Sequence, residues 1–233
     1  MSSNDDLPTH PADAGTVQPS QAASQAPSKA PPPEEPPFVE AGFIRLRSVL
    51  APVDTGRFFP RSQPVELELG AGDGSFLVRY ASAHPDVNFV GVERLLGRIR
   101  KIARKSARAG LTNVLCLRVE IGYLLEHLLP ANTLSAIHVY FPDPWPKRKH
   151  THKRLVNEKF TQLAHRLLVP RGRVHLRTDD EDYHRQMVEV FGLAQDKFEP
   201  CVAAADLIEV TTDFERDFLA KGIPTRRADY RSK

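Results

Sequence analysis

Cysteine is almost missing from these 233 residues: Cys116 and Cys201 lie far apart and outside any CxxC pair. Neither a disulfide framework nor a cysteine zinc site can be assembled, and both thiols are expected to be buried and inert. Long hydrophobic runs are missing too. Charges or prolines interrupt every apolar stretch short of the roughly 20 residues that cross a bilayer, so an integral helical membrane protein is excluded. No aromatic residue precedes Phe38 and no arginine precedes Arg45. The first 37 residues hold most of the Ala, Pro, Ser and Gln runs, without helical or strand periodicity, and are expected to form a disordered arm. That arm has neither the apolar stretch of a secretory signal nor the arginines of a mitochondrial one, which points to a cytoplasmic protein. His150 and His152 have no nearby acid or cysteine to complete a tetrahedral set, so no metal is expected.

What is present suits one globular domain over residues 38–233, with 41% apolar and 26% charged residues. The net charge of +3 conceals an asymmetry, because residues 1–40 carry −5 and the remainder +8. A basic folded part suits a polyanionic partner. Charge alone also fits the solvated surface that solubility requires.

From Pro64 onward short apolar runs alternate with longer amphipathic ones, the pattern of strands and helices around a mostly parallel sheet. Strands are predicted at VELEL (65–69), NFVGV (88–92), NVLCLRV (113–119), LSAIHVYF (134–141) and GRVHLRT (172–178). Helices are predicted over 74–84, with Phe76, Leu77, Tyr80 and Ala81 as the apolar stripe, and over 95–110, with Leu95, Ile99 and Ile102 facing the sheet and an outer face of Arg and Lys. Further helices are predicted at 121–129, about 154–168 and 181–193.

Two stretches carry the chemistry. ELELGAGDG puts Gly70, Gly72 and Gly74 directly after a strand and at the mouth of a helix, with Glu68 two residues before the first glycine. The GxGxG spacing differs from the GxGxxG that seats a pyrophosphate on a helix N-terminus. A carboxylate beside the loop suits S-adenosylmethionine, which has no phosphate but carries an ammonium and a sulfonium. Glu93 ends the second strand, where a carboxylate accepts both ribose hydroxyls of a nucleoside, and Glu120 ends the third, within reach of an adenine amino group. The alternative for the loop alone is a plain turn.

The second stretch is VYFPDPWPKRKHTHKRLV (139–156). Its three prolines stiffen a loop that holds Asp143 near the top of the sheet, with Phe141 and Trp145 offering planar faces to an unstacked base. Lys147, Arg148, Lys149, Lys153 and Arg154 follow at once, a density of cations that fits RNA phosphates. A solvated basic loop with Trp145 as a lid is the plainer alternative.

ELGAGDG, Glu68, Glu93, FPDPWPKRKHTHKR, LRTDDEDY (176–183) and TTDFERDFLAKG (211–222), in this order over residues 38–222, resemble the tRNA (guanine-N7-)-methyltransferase family. The resemblance implies a Rossmann-like class I methyltransferase fold, an α/β fold whose mostly parallel central sheet has helices on both faces. It implies S-adenosylmethionine as cofactor, held by Glu68, Gly70, Gly72, Glu93, Glu120 and Asp143, with Asp143 also at the catalytic position. Lys147, Asp179, Thr212, Asp213, Phe214 and Glu215 correspond to substrate-binding positions. Lys149, His150, Thr151, His152, Lys153 and Arg154 would touch tRNA, whose usual target is guanine 46 in the variable loop. No obligatory protein partner is implied.

The chain departs from the family twice. Glu120 and Ile121 stand where the family has Asp and Ala, and the chain ends GIPTRRADYRSK in place of an aromatic-rich apolar strand. Other function classes remain: a class I methyltransferase acting on a protein or small molecule, which would have no use for the basic proline loop, and a non-catalytic RNA-binding module, which would not need an acid at each strand end. A nicotinamide-dependent oxidoreductase is disfavoured by the glycine spacing.

Overall fold

The predicted strands are short apolar runs whose side chains can be buried on both faces, as parallel sheets require. A computed structural model describes residues 38–233; the arm expected over residues 1–37 lies outside them. In chain order the elements are β1 (Phe38–Glu40), β2 (Phe43–Arg45), β3 (Val65–Leu69), α1 (Ser75–Ala83), β4 (Asn88–Val92), α2 (Leu96–Arg108), β5 (Val114–Leu117) and α3 (Ile121–Tyr123), which runs into a wide helical turn at Leu124–Leu128. Then come β6 (Leu134–Tyr140), α4 (Glu158–Leu167), β7 (Leu168–Thr178), α5 (Glu181–Leu193), β8 (Phe198–Pro200), α6 (Ala205–Glu209), α7 (Asp213–Ala220) and β9 (Arg226–Ser232).

These strands form one sheet in the order β1-β2-β5-β4-β3-β6-β7-β9-β8. The run from β2 to β7 is parallel, whereas β9 pairs antiparallel with both β7 and β8. The chain lays down β3, β4 and β5 in one direction and then returns to add β6 and β7 on the other side of β3. That reversal is a topological switch point, where open α/β sheets leave a crevice beyond the carboxyl ends of the strands.

Alternation along the strands separates two cores. Leu67, Val90, Leu117, Ile137 and Val174 pack with α4 and α5 through Phe160, Met187 and Phe191. On the other face Phe89 and Cys116 pack with α1 and α2 through Phe76, Leu77, Ile99 and Ile102. Each fully buried Leu, Ile or Phe there contributes about 1.5–3 kcal/mol.

Several expectations need correction. Leu95 does not face the sheet: its backbone is extended before α2 begins, and the side chain is 49% exposed at the sheet's carboxyl edge. Cys116 is buried, but Cys201 is only half-buried. The helix expected from 154 starts at Glu158, because the Asn157 side chain caps it by accepting from Phe160 N at 3.0 Å. A 3-10 turn over Arg148–Lys153 precedes it. The polar C-terminal segment, whose sequence left the last strand of the sheet open, forms β9.

Candidate functional site

The glycine loop is shaped by backbone that only glycine adopts freely. Gly70, Gly72 and Gly74 have φ of 77°, 56° and 77°. At Gly74 a Cβ would stand 2.9 Å from Ile102 Cγ1, so this glycine lets α1 approach α2. At Gly70 nothing lies within 4 Å of that position. Its open side belongs to a cleft of about 650 Å³ at the carboxyl ends of β3, β4, β5 and β6.

Gly70, Glu93, Glu120 and Asp143 all line this cleft. Glu93 Oε1 accepts from Leu95 N at 2.8 Å, which fixes the side chain, while Oε2 stands 3.6 Å from Arg98. Glu120 caps α3 with both oxygens, accepting from Gly122 N at 2.9 Å and Tyr123 N at 2.7 Å. The cap holds the extra methylene of Glu folded back against its own helix.

Asp143 is exposed on the lip of the cleft between two prolines. The flanking Phe141 and Trp145 have φ of 51° and 44°, left-handed backbone that costs a non-glycine residue about 1–3 kcal/mol each. Two anchors hold this strained loop: Phe141 N donates to Arg177 O at 2.8 Å, and Arg154 Nε donates to Pro144 O at 2.7 Å. Phe141 packs against Phe218, and Lys153 Nζ sits 4.9 Å over the Trp145 ring.

The remaining predicted residues divide. Gly72 and Glu68 do not line the cleft. Glu68 is buried with Oε2 unpartnered, and burial pushes its carboxyl up to about 8, with Arg177 opposing and Asp73 adding to the rise. Lys147, Lys149, His152 and Lys153 are exposed on the basic turn, with His150 and Thr151 half-buried. Asp179 is half-buried and its carbonyl accepts from Arg226 at 3.0 Å. Thr212 caps α7, Asp213 N donates to Ser75 Oγ at 3.0 Å, and Phe214 is 55% exposed. Residues 212–214 therefore stand at the mouth of α1.

Two expected contacts are redirected by burial. Arg154 is only 2% exposed: besides Pro144 O it reaches Gln186 Oε1 and Asp182 Oδ2, both at 2.9 Å, and lies 4.8 Å over the Tyr183 ring. Its guanidinium braces the loop and offers no face to phosphate. Glu215 is fully buried between Arg177 Nη1 at 2.9 Å and the guanidinium of Arg227. A base edge cannot reach it, and it fastens α7 to the sheet.

Sequence reasoning missed Arg94, Leu95 and Arg98, which line the cleft from the β4 side, and Arg177, which ties β7 to α6 and α7 through Leu207 O, Val210 O and Glu215. An arginine inside an apolar strand was the available signal, because a buried guanidinium needs a partner. Among the described residues no three His, Cys, Asp or Glu side chains gather as a metal set, and no helix is long and apolar enough to cross a membrane.

Comparison with known proteins agrees with this architecture. The profile of the family Methyltransf_4, described as "Putative methyltransferase", matches residues 62–227. Among solved structures, the 16S rRNA methyltransferase KamB superposes with a TM-score of 0.53 at 15% identity, over 73% of this chain and 88% of that one. A 30S ribosomal A1408 methyltransferase from an uncultured bacterium gives 0.51 at 16% identity, over 73% and 88%. At these identities the likeness shows the fold alone, and it is the class I methyltransferase fold.

The tRNA (guanine-N(7)-)-methyltransferase of Syntrophotalea carbinolica is 37% identical over 141 residues, 60% of this chain and 61% of that protein. The chain likewise covers 54% of the Chromohalobacter salexigens protein of that name, at 38% identity over 57% of itself. It thus spans less than two thirds of either relative. The Halorhodospira halophila protein of the same name is 33% identical over 184 residues, 77% of this chain and 79% of that protein. With the family profile covering well over half of the sequence and this relative covered over most of its length, the chain belongs to the tRNA (guanine-N(7)-)-methyltransferase family.

Proposed function

We propose that the chain transfers a methyl group from S-adenosylmethionine to N7 of a guanine in tRNA, with guanine 46 of the variable loop as the target, and that it does so in the cytoplasm without an obligatory protein partner. The observation that carries this reading is the meeting of Gly70, Glu93, Glu120 and Asp143 in one cleft at the switch point, with His152 and Lys153 on its wall and Lys147 and Lys149 exposed on the same basic turn.

The residues fit the cofactor. Gly70 has no side chain to bar a nucleoside from its backbone, and Glu93 keeps acceptor capacity for a ribose diol at the end of β4. Each Glu120 oxygen spends one lone pair on a capping amide and retains another for an exocyclic amine. Glu68, from behind the loop, supplies negative charge when a cation is bound above it. The cofactor supplies an electrophilic methyl group on sulfur. Guanine N7 already presents a lone pair, so no side chain has to remove a proton first.

The protein's task is alignment and charge. Asp143, on a loop fixed by two prolines and by Arg154, steadies the base and balances the positive charge that develops on the purine. Phe141, Trp145 and Phe214 offer aromatic faces to the base, and Asp179 and Asp213 offer acceptors to it, while the buried Thr212 sets the start of α7 by accepting from Glu215 N. Lys147 and the exposed members of the 149–153 run hold phosphates.

The test is incubation of the purified full chain with unmodified tRNA and labelled methyl donor, followed by borohydride and aniline, which cut RNA at 7-methylguanine. Wild type should give one cut in the variable loop. Asp143→Ala should lower the methylation rate by at least about a hundredfold while binding tRNA normally. No cut with wild type, or full activity in Asp143→Ala, would refute the reading.

A further inference from the structure

Between Glu93 and Glu120 the chain carries eight cations, Arg94, Arg98, Arg100, Lys101, Arg104, Lys105, Arg108 and Arg118, and not one acid. Four of them, at positions 98, 101, 105 and 108, follow the spacing of three and four that stacks side chains in one row along a helix, and Arg94 stands just before that helix. The row starts inside the cleft, whose wall includes Arg94 and Arg98, and climbs α2 for about 15 Å from Arg98 to Arg108 at a rise of ~1.5 Å per residue.

Arg94, Arg98, Lys101 and Arg108 are exposed and Lys105 is half-buried. Lys105 is held by Asp73 at 2.8 Å and Arg98 stands 3.6 Å from Glu93. The side chains of Arg94, Lys101 and Arg108 have no hydrogen-bond or ion-pair partner among the described residues. Like charges at this spacing destabilise a helix, and Lys101 and Arg108 give the fold no ion pair in return.

A row of cations leading out of a substrate cleft, with Lys101 and Arg108 left without a hydrogen-bond or ion-pair partner among the described residues, is matched by an anion that itself leads out of the cleft. On the proposed reading that anion is the substrate's own backbone. The basic turn at 147–153 follows β6 and the α2 row follows β4, so the two cationic tracts flank β3, on either side of the glycine loop. A membrane is a poor match, because surface-bound helices sink an apolar face into lipid, whereas Ile99 and Ile102 of α2 are spent against the sheet.

We propose that the Arg98–Lys101–Lys105–Arg108 row of α2, with Arg94 just before it, is a second grip on the tRNA sugar-phosphate backbone, across the cleft from the basic turn. It rests on the reading of tRNA as substrate, but it acts on binding alone and takes no part in methyl transfer.

The experiment is a titration of end-labelled tRNA into the full chain by fluorescence anisotropy over a range of salt, with wild type, K101A/R108A and the charge-keeping K101R/R108K. Neither side chain lies on the cleft wall. K101A/R108A should raise Kd about tenfold at low salt and flatten the slope of log Kd against log salt by about 1 per side chain removed. Its affinity for the methyl donor, by calorimetry, and its kcat at saturating tRNA should equal wild type, and K101R/R108K should bind as wild type. An unchanged Kd and slope in K101A/R108A would overturn the proposal, as would loss of binding to phosphatidylserine vesicles with tRNA binding intact. If wild type makes no 7-methylguanine yet K101A/R108A still loses tRNA affinity, the methyl-transfer reading fails and the second grip stands.

Discussion

Glu66 and Glu68 lie two residues apart on β3 and point to the same face, yet their charges are settled oppositely. Burial works against both, but the hydrogen bond from His138 Nε2 at 2.8 Å and its charge hold Glu66 below the usual carboxylate range. Glu68 has no such donor, and its carboxyl rises to about 8. A carboxyl raised in the folded state favours the native protein where it is protonated there. That contribution is fully present below about 4.5 and is lost as pH climbs through about 8. Glu68→Gln removes the titration, so its stability relative to wild type should differ by less than about 1 kcal/mol at pH 5 and reach about 4–5 kcal/mol in favour of the variant at pH 9. Paired denaturant melts across this range test it, and a variant less stable than wild type at pH 9 would be the contrary result. The same change should weaken binding of a cationic methyl donor. Arg154 makes the opposite case. Arg154→Ala leaves Pro144 O, Gln186 and Asp182 without their donor, and should cost about 2–4 kcal/mol with loss of methylation. Arg154→Lys should rescue little of either, because an ammonium cannot reproduce the three-way fork. Sequence alone placed Arg154 among the RNA contacts because a basic run does not reveal which member turns inward. Asp182 and Gln186, one helical turn apart on α5, are the partners that decide it.

Elements show the same limit on a larger scale. The strands β3, β4, β5, β6 and β7 were legible as apolar runs because each is covered on both faces. The strand β9 was not, since its sequence, RRADYRS, reads as a polar tail. Its charges are matched one by one: Arg227 meets Glu215, Asp229 accepts from His175 Nδ1 at 2.7 Å, and Arg231 meets Glu199. Tyr230 alone stacks on Phe191, with ring centres 3.9 Å apart. Pairing of this kind is invisible to hydropathy. Its consequence falls on α7. Removing Glu215 strands two guanidiniums, one of them buried, so Glu215→Ala should cost about 3–5 kcal/mol. Amide exchange over residues 213–220 should rise before that of the central strands, and uniform protection loss would show that the clamp is not local. The glycine loop separates packing from ligand access in a similar way. Gly74→Ala combines left-handed backbone with a contact of 2.9 Å on Ile102, and should destabilise by about 2–4 kcal/mol. Gly70→Ala meets only open space and should cost about 1–2 kcal/mol, while its new methyl group intrudes where a nucleoside would lie. Calorimetry with the methyl donor should therefore rank Gly70→Ala as the greater loss of binding per unit of stability lost.

At the scale of the molecule, two kinds of charge occupy two places, and on the proposed function they meet two ligands. Acids at the ends of β4 and β5 are tied down by backbone amides in a cleft, whereas cations cover the surfaces on either side of it. The composition already hinted at this division, since the chain beyond residue 40 carries +8, but a net charge has no address. The sheet order supplies one, because reversal at β3 brings the segments after β4 and β6, nearly fifty residues apart in sequence, to neighbouring positions around the glycine loop. Salt should then act on the two substrates unequally. Phosphate contacts on exposed lysines and arginines release counterions, so log(kcat/KM) for tRNA should fall linearly with log salt by about 0.7–0.9 per contact. The methyl donor is a small ligand met at short range by acids tied to backbone amides, so its KM should move by less than about twofold over the same range. A KM for the donor that follows salt as steeply as that for tRNA would mean that both ligands meet one undivided electrostatic surface, and that the separation of acids inside from cations outside plays no part in how the enzyme tells its substrates apart.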